Sequence, residues 1–357
     1  MAIISRIEAR STRGRLIHAA IFLVLTLGGL TTVYPFAVMI SGALRSQMDE
    51  ADMTLVPAFL VDDDVLYRKF LETKYNQDVQ ALDRAHGTQS YSFRTAALPQ
   101  SVVDRRIEDL REFLHEAGPP QHWQVLGGTY GYQTVPENLR AIRDRLDERF
   151  HGDLAALSRE LGAAVNNWAN IAPPPPDWVT QRFDYQDNAL YQEYFKLADD
   201  RPLAERQIVM LTGYFLETMV YPVYERASTA AYNAAHVGKL ETYADFVLPR
   251  TVPPEDQPTL RREWIEFVRN ELNPSFVLLE GVAEEAYRAF LRDKYSGDVQ
   301  AMGRLWGASV ESFDAVALPA GQWLQRARRQ DYLDFLLTLP PERYRLVGPE
   351  YAWRDWL

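Results

Sequence analysis

Apolar and polar positions change their pattern at about residue 45. From Leu16 to Leu44 no Asp, Glu, Lys or Arg occurs. About 20 apolar residues suffice to cross a bilayer, so this run predicts a spanning helix. Beyond it the chain turns to amphipathic stripes. Tyr67, Phe70, Leu71 and Tyr75 recur at helical spacing and predict one buried face. Asp78 stands where it can cap a second helix beginning near Val79, with Val79, Leu82 and Ala85 or His86 on its inner side. Gly87 is placed to stop that helix by taking a positive φ. Ser92 to Pro99 then reads as a connector, with Phe93 and Leu98 plugging the core. "IEDLREFLHEA" and "LRREWIEFVRNEL" predict further amphipathic helices, and "SFVLLEG" and "HWQVLGG" brief strands.

The stripes repeat. Residues 67–99 align without a gap on residues 287–319, at an offset of 220, with 17 of 33 positions identical. Weaker copies lie at 146–168 and 231–249, and the marker glycines are Gly87, Gly162, Gly238 and Gly307. Four units of about 70 residues follow, each burying its stripe against a neighbour. The closing stretch "YRLVGPEYAWRDWL" resembles the run-up "FVLLEGVAEEAYRAFL", with Trp353, Trp356 and Leu357 matching Tyr287, Phe290 and Leu291. On this reading the chain stops inside a fifth unit, leaves two Trp and a Leu partly unburied, and is a fragment or one part of a split reading frame.

Charge gives the spanning run an orientation. Arg6, Arg10, Arg13 and Arg15 precede it against the single acid Glu8; Arg45 and then Asp49, Glu50 and Asp52 follow. The positive-inside rule puts the N-terminus in the cytoplasm and the rest outside the inner (plasma) membrane. A cleaved signal peptide is the rival: Ser41-Gly42-Ala43 resembles a cleavage site, but the apolar core of such a peptide is only about 7–15 residues. The expected fold class is mainly α, one N-terminal transmembrane helix followed by a helical, repeat-built extracytoplasmic domain. Its expected parts are residues 1–15, a cytoplasmic basic N-terminus; 16–44, the transmembrane helix; and 45–357, the outer domain. Units fall near 56–122, 123–178, 206–249 and 274–319. The run "RQIVMLTGYFLETMVYPVYERA" is interrupted by Glu217 and is too polar for a second span.

Candidate chemistry is sparse. A formal net charge of −11 disfavours a nucleic-acid partner, and the absence of Cys excludes disulfides and thiolate metal sites. His18, His86, His115, His122, His151 and His236 form no metal-binding spacing, and His115 and His122 flank a Gly-Pro-Pro turn that reads as a solvated loop. Asp62-Asp63-Asp64 lacks the pattern of a calcium loop and reads as helix capping. "LGGTYGY" (126–132) reads as a turn rather than a phosphate cradle. Trp168 and Trp178, flanking the stiff "PPPP" linker, are the aromatic residues best placed for exposure and sugar stacking. No catalytic, cofactor-binding or metal residue is expected, and no cofactor.

Tyr34-Pro35-Phe36 followed by Ser41-Gly42-Ala43-Leu44-Arg45, after an Arg-rich start and an apolar run, resembles the first transmembrane helix of binding-protein-dependent carbohydrate ABC transporter permeases of the maltose type. The resemblance covers about residues 10–50, with Gly42 as an extra residue. It implies partners: the membrane, an ATPase subunit that carries out ATP hydrolysis, a second permease subunit and a solute-binding protein. The departures are large, because such permeases have about six spanning helices and a cytoplasmic Glu-Ala-Ala loop, and neither is found here. The outer region would then be an insertion that docks or guards the solute-binding protein. The repeat also resembles a non-catalytic segment of some β-galactosidase-like glycoside hydrolases. A single-pass anchored adaptor or receptor domain, and an anchored glycan hydrolase relative, stay open as alternatives.

Overall fold

The computed structural model describes residues 12–51, 54–99, 103–131, 134–173, 176–182, 188–236, 238–324 and 326–357. Arg6, Glu8, Arg10, Asp52, Tyr132, Pro174 and Pro175 lie outside the described residues. Among the described residues the fold is mainly helical, with four short strands. It forms two compact units, Met1–Lys69 and Phe70–Leu357.

The first unit is built on α1 (Thr12–Ala43), which covers the apolar run and extends one turn N-terminal to it, through Arg13 and Arg15. At 1.5 Å per residue, its 32 residues reach about 48 Å, against about 30 Å of bilayer hydrocarbon. The apolar side chains along it are exposed, and none of the window that meets the length and apolarity of a membrane span is buried. Thr31 and Thr32 both return their hydroxyls to the Gly28 carbonyl at 2.8 Å, so neither needs water. The helix carries Pro35 in its interior. Its exit is pinned: Ser41 donates to the Thr54 carbonyl at 2.9 Å, and Arg45 donates to the Ser41 hydroxyl at 3.1 Å. Lys69 meets the buried Asp49 at 3.0 Å and lies 4.6 Å from the Phe59 ring centre.

The second helix is α2 (Asp63–Lys74). In the second unit it leads to α3 (Val79–His86), α4 (Asp104–Glu116), β1 (Gln124–Leu126), α5 (Glu137–Phe150) and α6 (Leu154–Leu161). Then come α7 (Ala189–Asp200), β2 (Arg206–Ile208), α8 (Leu211–Phe215), α9 (Ala230–His236) and α10 (Pro258–Glu266). The chain continues through β3 (Val277–Leu279), α11 (Glu284–Lys294), α12 (Val299–Trp306), α13 (Arg326–Leu337), β4 (Tyr344–Leu346) and α14 (Pro349–Trp356).

The repeat is visible in local chemistry. Asp78, Asp153 and Asp298 cap α3, α6 and α12 through their carboxylates, as Asp78 does for the Gln80 N–H at 2.9 Å. Gly87, Gly162 and Gly307 end the same helices at φ of 63°, 63° and 66°. Gly238 departs from this pattern: it is not among the positive-φ residues, and its N–H is spent on the Asn233 carbonyl. Each unit then closes on a three-residue 3-10 turn led by an aromatic residue: Phe93, Trp168, Tyr243 and Phe313. Ser92, Asn167, Thr242 and Ser312 stand before those turns in extended conformation.

A second regularity precedes each strand. Four helices carry aligned four-residue segments: Leu110–Phe113, Tyr191–Tyr194, Trp264–Phe267 and Tyr332–Phe335. The last ring of each is buried, and a 3-10 turn carries the chain from each helix to its strand. β1 pairs antiparallel with β2 (Gln124 opposite Ile208), and β3 with β4 (Val277 opposite Leu346). Tyrosines from the helices fix both pairs. Tyr194 accepts from the Leu126 N–H at 2.7 Å, and Tyr332 donates to the Val277 carbonyl at 2.9 Å. One apolar core runs through these elements from Val125 to Tyr351. The run containing Glu217 lies in that core. Leu211, Phe215, Leu216 and Val220 are buried, and a π-turn (Leu216–Val220) leaves the glutamate at the edge.

Candidate functional site

The C-terminal end of α2 is held from two sides. The Gln207 side-chain amide donates to the Lys74 carbonyl at 2.5 Å. A Cβ on Gly127 would lie 2.2 Å from that same oxygen, so only glycine permits this approach. The next residue, Tyr75, pairs its hydroxyl with His86 Nε2 at 2.8 Å. Lys74, Tyr75 and His86 therefore stand together at one end of a cavity of about 540 Å³. Leu110 and Phe113 of α4 and Glu350, Trp353 and Arg354 of α14 line it too. Arg106 and Arg206 complete the rim.

The lining has two characters. Phe113, Trp353, Leu110, Ile208 and Met210 give it an apolar floor. Four cations surround that floor in a chain whose net charge is −11. Among the described residues, Lys74 has no carboxylate within ion-pair distance, and burial lowers its pKa. Burial, and then the Lys74 charge, also lower His86. The one carboxylate in the lining, Glu350, is spent on Thr212, whose N–H and hydroxyl donate to it at 3.1 and 3.0 Å. Burial raises Glu350 above the usual carboxylate value. A cavity of this size and mixed lining suits a small organic ligand.

The structure revises several expectations. His122 is not solvated; it is 3% exposed and packed on Trp323 and Phe276, with ring centres 5.1 and 5.3 Å away. Burial lowers its pKa to about 4. His115 is exposed, as expected of that loop. Trp178 is 1% exposed and not a surface residue, because the 3-10 turn at Pro176–Val179 turns it inward onto Tyr191, Phe195 and Trp323. Trp168 is half-buried. Asp62 caps α2 by accepting from the Asp64 N–H at 2.9 Å. The segment after β1 is a turn whose N–H groups are already used: Thr129 donates to Asn76 and Gly127 to the Glu205 carbonyl. Among the described residues no group of three His, Asp or Glu is placed to hold a metal.

Pattern reading missed two polar arrangements. His236 bonds Glu263 at 2.7 Å, and the buried Glu263 also accepts from Tyr224 at 2.8 Å. Glu217 and Glu271, on the two π-turns (Leu216–Val220 and Phe267–Glu271), line a shared cleft with Arg84 and Arg182. Glu217 is bound by Arg84, and Arg182 by the Leu272 and Val268 carbonyls, so both serve packing. The outward sign of such sites in sequence is only a polar residue inside an apolar run. The chain matches no protein-family model, no curated protein and no solved structure.

Proposed function

We propose that the chain is a permease component of an ABC-type carbohydrate importer, with α1 as its first spanning helix and the second unit as an outer domain for a solute-binding protein. The supporting observation is α1 itself: a helix whose apolar, membrane-length stretch is exposed, with Tyr34-Pro35-Phe36 inside it and a pinned Ser41-to-Arg45 exit. On this reading the N-terminus is cytoplasmic, the second unit is extracytoplasmic, and ATP is hydrolysed on a partner subunit. The domain's work is passive, to shape or guard the docking site.

Two experiments test it. The chain has no Cys, so single-cysteine variants report topology cleanly. In intact cells an impermeant maleimide should label Glu50→Cys and leave Ser5→Cys unlabelled; the reverse pattern overturns the orientation. Replacing α1 by an unrelated spanning helix separates a permease from a plain anchor. Carbohydrate uptake that depends on the chain should be lost. Full uptake with the foreign helix would leave α1 as an anchor only.

A further inference from the structure

The 220-residue offset brings two lysines into correspondence, Lys74 in the first repeat and Lys294 in the last. Their neighbours correspond too: Tyr75 with Tyr295, and His86 with Trp306. In the last repeat these three side chains converge on one carboxylate. Asp331 of α13 is 2.8 Å from Lys294 Nζ, accepts from the Tyr295 hydroxyl at 2.6 Å, and accepts from Trp306 Nε1 at 2.6 Å. A second acid, Asp334, reaches Lys294 at 2.5 Å.

The first repeat has the corresponding lysine without the acid, while Tyr75 and His86 bond each other at 2.8 Å. The helix corresponding to α13 is α4, where the aligned segment puts Asp109 in the place of Asp331. Asp109 instead pairs with Arg105 on its own helix at 2.8 Å. Lys74, Tyr75 and His86, whose counterparts enclose Asp331 in the last repeat, here line the 540 Å³ cavity. A partly buried cation facing a cavity, with no acid supplied by the protein, costs stability that a bound anion restores. Beyond the cation lies the apolar floor with the Trp353 ring, already stacked on Trp356 at 5.4 Å.

We propose that this cavity is a binding site for a small organic carboxylate that carries a ring. Its carboxylate takes the place that Asp331 holds in the other repeat, against Lys74 and beside the Tyr75–His86 pair. Its ring lies on the floor formed by Trp353 and Phe113. Arg354 and Arg106 at the mouth draw the anion in. The ring belongs to a saccharide acid or to an aromatic acid, and the two share the recognised chemistry. The site is independent of the transport reading, since binding to the purified chain succeeds or fails without any partner subunit.

The test is calorimetry on the full chain in nanodiscs of a zwitterionic lipid. The probes are glucuronate and phenylacetate, their neutral counterparts glucose and phenylacetamide, and inorganic phosphate. At least one ring carboxylate should bind with a Kd below about 1 mM, and its neutral counterpart at least about tenfold more weakly. Lys74→Met and Trp353→Ala should each weaken binding about tenfold, with the thermal midpoint showing that both fold, while the remote Lys239→Met leaves it unchanged. Which acid binds distinguishes the saccharide from the aromatic source. Failure of both acids, equal binding of the neutral counterpart, indifference to Lys74→Met, or equally tight phosphate binding that survives Trp353→Ala would overturn the site.

Discussion

Trp353 on α14 sets its ring edge-on against Phe113 on α4, with 5.3 Å between ring centres. Tyr287 and Phe335 form the corresponding pair, tilted at 48° with 5.1 Å between ring centres, and offset and alignment place the four residues in register. So α14 docks on α4 much as α11 docks on α13. The contact is closed by Tyr351 donating to the Leu248 carbonyl at 3.2 Å and by Arg250 meeting Asp355 at 2.7 Å. The expected partial exposure at the end of the chain is found: Trp353 and Trp356 are half-buried and Leu357 is exposed.

Truncating this pair should show its asymmetry. Phe113 is 2% exposed, so Phe113→Ala should cost about 3–4 kcal/mol through lost burial and the cavity left behind. Trp353→Ala, from a half-buried site, should cost about 1–2 kcal/mol. The double variant should fall short of the sum by about 1 kcal/mol, the value of an edge-on aromatic pair. Urea unfolding of the four proteins checks this. Full additivity would mean that the rings touch without coupling.

Asp331 should be the most sensitive surface-linked acid in the last repeat. It is 2% exposed and takes donors from Lys294, Tyr295 and Trp306. Asp331→Asn keeps the shape and removes the charge, which should cost about 2–4 kcal/mol because Lys294 is left with the more exposed Asp334 and the Tyr295 and Trp306 donors lose a charged acceptor. Adding Lys294→Met should recover part of that loss, since the ammonium is then no longer held beside a neutral side chain. Urea midpoints read both. No recovery would assign the role of Asp331 to the two neutral donors instead.

Much of this architecture was legible before any coordinates, and the reason is local. Asp78 before Val79 and Gly87 after His86 act within a few residues of themselves, so a cap and a left-handed stop can be read from one strip of sequence. The same applies to the α1 run. What escaped reading depends on partners far along the chain. β1 finds β2 about 80 residues away, and three-residue strands carry too little pattern to announce a pairing. Trp178 looked like a linker residue, but its environment is set by Tyr191 and Trp323, which its flanking prolines do not reveal. The cavity was hidden for a further reason. Lys74 and Lys294 occupy the same place in the repeat and differ in whether an acid on another helix reaches them.

His122 makes stability depend on acid in a defined window. Folded, its pKa is about 4, because burial against Trp323 and Phe276 disfavours the charged ring; unfolded, it titrates near 6.5. The unfolded chain therefore takes the proton first as pH falls. The contribution of neutral His122 is fully present above about pH 6.5 and is lost as pH drops toward about 4. The loss should reach about 3 kcal/mol. His122→Phe should keep the packing and remove this part of the acid dependence. The difference between the wild-type and variant profiles from pH 7 to 4 is the measurement; parallel profiles would show that water reaches the ring.

Glu350 acts in the opposite direction. Burial raises its folded pKa above the ordinary 4.5, even though the N–H and hydroxyl of Thr212 donate to it. The folded chain thus holds this proton longer than the unfolded chain. The stability it lends is present below about pH 4.5 and is lost as pH rises through the raised value. Because Glu350 lies at the start of α14, the loss should appear as loosening of that helix before global unfolding. Glu350→Gln keeps an acceptor for Thr212 and cannot ionise. It should therefore raise the thermal midpoint at neutral pH and leave it unchanged in acid. Hydrogen exchange at the Tyr351 and Ala352 amides, which bond the Gly348 carbonyl, should accelerate with pH beyond its intrinsic rate in the wild type and not in the variant. Equal exchange in both proteins would mean that Thr212 holds the carboxylate charged without penalty, and α14 would then owe its docking to Tyr351 and Trp353 alone.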